Sequence, residues 1–186
     1  INKELAIKKM LLQDGMDVNA TAKLYKKNVF DNIRFPEGKL YEDIQILDII
    51  MDKVEIISYI SYKGYYYLQR ANSIMYGPMS YDRLILIDKT KQLIYYLEDK
   101  YPSIVKAGIK RYVYCNFHLL GRSVLDKKYK SVSKQLRKNI LYYNKFIFLS
   151  KCFSFKEKFA TVILFFGLNL YSLFWKIFCN LKKILR

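Results

Sequence analysis

The sequence predicts a mostly helical α+β chain, with one short β-hairpin and a basic, apolar helical tail. Three observations predict it. Apolar residues recur at three- and four-residue spacing over most of the chain. A single stretch, 55–68, is dense in β-branched and aromatic residues. No residue from Phe159 to Trp175 is charged. With 186 residues, 52% hydrophobic and 17% aromatic, the chain is too apolar for disorder and long enough for one core plus a tail.

In order along the chain, Leu5, Ile7, Met10, Leu11 and Leu12 make 2–13 a helix that Asp14-Gly15 ends. Residues 21–34 read as a short extended piece and then a helical turn, and Pro36 and Gly38 punctuate the chain just beyond it. Ile44, Leu47, Ile50 and Met51 predict a helix over 41–53. The runs EIISYI (55–60) and YKGYYYL (62–68) predict two strands joined around Ser61 to Gly64. Residues 69–78 are a polar loop. Helices are expected at about 80–100, 102–120, 131–150 and 155–183.

The formal charge of +17 favours anionic partners, whether nucleic acid, acidic lipid or phosphorylated small molecules. Abundant Lys, Ile, Asn and Tyr together also fit a simple compositional bias. The basic residues crowd the second half, and Asp126 is the only acid between Tyr101 and Cys152. The uncharged run 159–175 spans about 25 Å as a helix, the lower limit for crossing a bilayer. Lys156 and Lys158 precede it, and Lys176, Lys182, Lys183 and Arg186 come after it. Basic flanks on both sides favour a helix lying in an anionic headgroup layer over a spanning or simple core helix. Nucleic acid is the competing partner, with YKGYYYLQR offering stacking aromatics. No recognised nucleic-acid-binding pattern accompanies it, so no nucleic acid is expected.

Cys115, Cys152 and Cys179 are far apart, and His118 is the only histidine. That spacing does not suit structural zinc, and the cysteines read as reduced core residues. The chain begins at Ile1, directly in an amphipathic pattern, and reads as a piece of a longer protein.

Three pieces stand in order: AKLYKKNVF (22–30), FPEGKLYEDI (35–44) and YYYLQRANSIM (65–75). Together they resemble the second half of the bacterial family 2 glycosyltransferases that build capsule, exopolysaccharide or lipopolysaccharide. The tail LNLYSLFWKI, before its basic end, is similar to their membrane-associated C-termini. The resemblance covers about residues 20–76 closely and the remainder only in character.

It implies the acceptor-side part of a GT-A fold and inverting transfer of a sugar from a nucleotide-sugar donor to a glycan or lipid-linked acceptor. It also implies a peripheral position on the cytoplasmic face of a bacterial membrane. Asp43 maps onto the family's catalytic base, with Glu42 beside it. Arg70 and Ser73 match a Q-R-x-x-S segment near the active site. Lys23 falls in a segment that walls the acceptor side, although Thr21-Ala22 stands where relatives often carry Trp-Asn or Trp-Gly. The family's Mg²⁺ or Mn²⁺ is held by an Asp-x-Asp on a nucleotide-binding half, and no Asp-x-Asp occurs in this sequence. The cation is therefore expected in a full-length enzyme and not on this chain, which alone is expected not to turn over.

The implied organisation is 1–78 for the acceptor-side part, 79–154 for a basic helical region and 155–186 for a membrane-associated helix. Glu42 and Asp43 also have a plain reading as acids in the first turn of a helix, worth about 0.3–1 kcal/mol each. Arg70 reads equally as a solvated charge. The alternative for the whole chain is a non-catalytic, membrane-binding helical module derived from such an enzyme.

Overall fold

A computed structural model describes residues 1–62, 64–68 and 77–184. The described residues are mostly helical, as the periodicity predicts, and contain no strand. They form two compact units, Ile1–Tyr112 and Val113–Arg186, and the division falls within one long helix.

The first unit begins with α1 (Lys3–Leu12). The Asn2 side chain accepts the Glu4 backbone N–H at 2.8 Å, satisfying a donor that the helix start leaves open. Gln13 in the left-handed conformation ends the helix, just before the Asp14-Gly15 pair that predicted the stop. A 3₁₀ turn at Lys27–Phe30 is the expected helical turn of 21–34. The helix predicted over 41–53 is broken into α2 (Glu42–Gln45) and α3 (Leu47–Lys53). Ile46 departs from helical backbone at φ −120°, ψ 9° and is nonetheless buried. Ile44, Ile46, Leu47, Ile50 and Met51 are all buried across the break.

A further 3₁₀ turn, Tyr81–Leu84, leads into α4 (Ile85–Lys100). Pro102 opens the short turn Pro102–Ile104 that begins α5 (Val105–Ser123). The core joins Ile7, Met10 and Leu11 of α1 to Leu47, Ile50 and Met51 of α3 and to Leu93 and Leu97 of α4. Gly108 of α5 lets Leu97 approach closely: a Cβ there would lie 2.6 Å from Leu97 Cδ1.

The predicted hairpin is not formed among the described residues of 55–68. Among the described residues of that stretch the backbone makes no ladder, and Ile56, Ile60 and Tyr66 are largely exposed. Two strands alone are marginal in water, because an isolated pair has no third strand or helix to bury its faces. Ile57, with Val54 just before the stretch, packs against the core.

The second unit contains the end of α5, then α6 (Lys130–Tyr142), α7 (Asn144–Leu149), α8 (Phe155–Phe165) and α9 (Leu168–Ile184). Its core includes Leu119, Leu120, Leu136, Ile140, Ile147 and Leu164. Buried polar groups are paired, Asn139 donating to Asn116 and Ser133 to Ser123, both at 2.9 Å. The single tail helix expected over 155–183 is two helices. Gly167, at φ +111°, separates them in a backbone conformation that L side chains rarely adopt. A capping box of Ser154 and Glu157 starts α8. Arg137 of α6 closes its other end, donating to the Leu164 carbonyl at 2.7 Å and the Phe165 carbonyl at 3.4 Å. Among the described residues no helix is long and apolar enough to cross a membrane. The cysteines are free, but only Cys115 is a core residue; Cys152 is exposed and Cys179 partly so.

Candidate acceptor-side site around Asp43

The turn that carries Glu42 and Asp43 is built by two left-handed residues. Gly38 takes φ +66°, a conformation that costs glycine nothing, and no neighbour lies within 4 Å of the place its Cβ would occupy. Tyr41 takes φ 56°, which costs a residue with a Cβ roughly 1–2 kcal/mol. Its hydroxyl accepts a 3.0 Å hydrogen bond from Arg83 Nη1. Arg83 is itself buried, and its Nε donates to the Pro78 carbonyl at 2.9 Å. The strained residue immediately before the acid pair is therefore tied to a buried cation 42 residues further on. Tyr41→Phe is expected to destabilise the protein by about 1.5–3 kcal/mol, the range for a hydrogen bond to a charged group. Urea unfolding measures it, and an unchanged midpoint would contradict the tie.

The two acids then part. Glu42 is exposed, whereas Asp43 is half-buried. Asp43 Oδ1 accepts the Ile44 backbone N–H at 2.7 Å. Burial holds the Asp43 carboxyl above the ordinary aspartate range. The Ile44 N–H pulls back, the negative charge of Glu42 pushes further up, and the Arg111 guanidinium pulls down. Glu42 and Asp43 both fall in the first turn of α2, as the plain helix-start reading has them, and the Asp43 carboxylate is in addition partly withdrawn from water.

Tyr25 links Asp43 to the segment that carries Lys23. Burial raises the Tyr25 phenol above its usual value, and the charges of Asp43 and then Asp17 raise it further. Lys23 Nζ pairs with Asp17 at 3.0 Å and also donates to the Asn19 carbonyl. Lys23 is thus half-buried and committed to Asp17. The aromatic rings of Tyr25, Phe30 and Phe35 pack in succession, with centroids 5.2 and 5.6 Å apart. A shallow depression of about 480 Å³ lies beside them, lined by Lys27, Phe30, Asp31, Arg34 and Phe35. Asp43 does not line it.

Of the residues picked out by sequence, Asp43 and the Lys23 segment share a neighbourhood through Tyr25, and Glu42 is exposed to solvent. Arg70 and Ser73 lie outside the described residues. Sequence reasoning missed Tyr25, Tyr41, Arg83 and Arg111. Tyr41 and Tyr25 sit inside the quoted motifs, but the arginines are 40 and 68 positions beyond Asp43 and nothing local marks them. Among the described residues no group of three or more His, Cys, Asp or Glu side chains is placed to hold a metal ion. These residues do not fit the Mg²⁺ or Mn²⁺ that the resemblance implies. No protein-family model, curated protein or solved structure matches this chain.

Proposed function

We propose that this chain is the acceptor-side part of an inverting, GT-A type glycosyltransferase of surface-polysaccharide biosynthesis, acting at the cytoplasmic face of the membrane. The observation that carries the reading is the environment of Asp43: half-buried, less acidic than a free aspartate, and set on a strained turn tied to buried Arg83. The motif resemblance over 20–76 supports the same assignment.

In the reaction the Asp43 carboxylate takes the proton from an acceptor hydroxyl. The hydroxyl oxygen attacks the anomeric carbon of the donor sugar. The bond from that carbon to the nucleotide diphosphate breaks, and its electron pair leaves with the phosphate. One carboxylate suffices, unlike the pair a glycoside hydrolase needs. A raised pKa makes Asp43 a better proton acceptor once it is ionised, and exposed Glu42 contributes only its charge. Arg70 and Ser73 are assigned to donor phosphate or acceptor contacts, and Lys23 to the acceptor wall by way of Asp17. The exposed apolar residues of 55–68 would gain strand partners from a nucleotide-binding half.

The test is the product of the enzyme that carries this chain together with its nucleotide-binding half. With a nucleotide-sugar donor of axial anomeric linkage, NMR of the product is expected to show the equatorial glycoside alone. Retention of configuration, or donor hydrolysis unaffected by any acceptor, would contradict the proposal.

A further inference from the structure

The second unit carries its excess charge and its exposed apolar surface together. Residues 113–186 hold 15 Lys and Arg against two acids, Asp126 and Glu157, a formal +13 of the chain's +17. On α8, Phe155, Phe159, Val162 and the adjoining Phe166 repeat at four, three and four residues, which places them on one stripe. All four are exposed, Phe155 at 81% and Phe166 at 75%, while Ala160, Thr161, Ile163 and Leu164 are buried on the other side. Among the α9 residues whose burial is described, the exposed apolar ones are Leu170, Leu173 and Ile177, again one stripe.

The two stripes adjoin. Phe159 meets Phe174 edge to face at 5.8 Å, eight and seven residues to either side of Gly167, so α8 and α9 fold back on each other. Leu170, Leu173 and Ile177 surround Phe174 on its own helix. Lys151 and Lys156 flank the start of the first stripe, Lys176 falls within the second, and all three are exposed.

An apolar ledge rimmed by lysine on a strongly basic unit selects its occupant. A second copy would bring two +13 surfaces together against their mutual repulsion. Duplex nucleic acid would meet the lysines but would leave Val162, Leu170, Leu173 and Ile177 with no use. An anionic bilayer satisfies both features, with headgroup charge for the lysines and the acyl boundary for the phenylalanines. We propose that the α8–α9 hairpin docks this unit on an anionic lipid surface, laying its paired apolar stripes into the headgroup–acyl boundary without crossing the bilayer. The docking element is the folded hairpin, not a single straight helix, and Gly167 together with Arg137 sets its shape.

The experiment is flotation of the whole chain with vesicles of phosphatidylcholine, with and without phosphatidylglycerol. Binding is expected only with phosphatidylglycerol and is expected to weaken as salt rises. Phe155→Ser with Leu173→Ser is expected to lower the partition coefficient by about tenfold or more. Lys156→Glu with Lys176→Glu, which leaves the apolar stripes intact and tests the surface even if the serine variant folds poorly, is expected to lower it by about tenfold. Leu24→Ser, at a fully exposed leucine of the first unit, is the control and is expected to bind like the parent.

Equal binding to neutral vesicles would overturn the proposal, as would binding that neither double variant reduces. So would self-association that the serine variant abolishes in a chain that binds no vesicles. Salt-sensitive DNA binding without vesicle binding would also overturn it. Flotation is read without any sugar transfer, so its failure leaves the Asp43 reading untouched, and the converse holds.

Discussion

Asp43→Asn is expected to lower the rate of sugar transfer by the intact enzyme about 10²–10⁴-fold, the usual contribution of a positioned general base. In barrier terms this is about 3–5 kcal/mol. Donor affinity should change little, because in the proposed reaction the carboxylate acts on the acceptor proton. The asparagine oxygen can still accept the Ile44 N–H, so the local backbone has no reason to move. The stability effect has a definite sign. The folded state raises the Asp43 pKa, so Asp43 contributes stability in full below its unfolded pKa and loses it as pH rises through the raised folded value. Above that window the asparagine variant should be at least as stable as the parent by thermal unfolding, and its advantage should shrink as pH falls through the window. An inactive variant that was also destabilised at neutral pH would point to a structural role instead.

The second large effect lies in the core of the first unit. Leu97 is completely buried, and Leu97→Ala is expected to cost about 2–5 kcal/mol, combining lost transfer energy with the cavity left behind. Gly108→Ala is expected to cost up to about 2 kcal/mol net, since its Cβ would press on the buried Leu97 Cδ1 at 2.6 Å while alanine recovers about 1 kcal/mol over glycine in a helix interior. The two should not add. Shortening Leu97 removes the atom that the new methyl group meets, and the methyl fills part of the cavity. Urea unfolding of the double variant is expected to give a loss smaller than the sum of the two single losses. Strict additivity would mean that α4 and α5 do not meet where Leu97 faces Gly108.

Helical elements were legible wherever the apolar spacing was long and regular, as in α1, α4 and α5. The breaks within them were not. Gly167 reads in sequence as a dip in apolarity, and only its backbone angle reveals that one helix has become two. Ser154-x-x-Glu157 is a capping pattern at the start of α8, yet the uncharged run after it suggests one long helix. Ile46 gives no warning at all: it is an apolar residue at an apolar position, and only its backbone angles mark the break. The stretch 55–68 has the composition of strands, but composition supplies no partner, and a strand is defined by its neighbour.

The candidate site divides the same way. Asp43 is marked by its motif, whereas its half-burial is not. Glu42 looks equivalent in sequence and separates from Asp43 only because adjacent residues in a helical turn point in different directions. Arg83 acts on the turn by a hydrogen bond from the entry to α4 and Arg111 by its charge from α5, effects that depend on the packed core and leave no local trace.

The most direct measurement is the pH dependence of kcat/KM for transfer by the intact enzyme. An Asp43 base held less acidic by burial predicts an acid limb displaced above the ordinary aspartate pKa of about 3.9, and the loss of that limb in the residual activity of Asp43→Asn. A limb at the ordinary value, or one that persists unchanged in the asparagine variant, would contradict the assignment of Asp43 as the group that takes the proton.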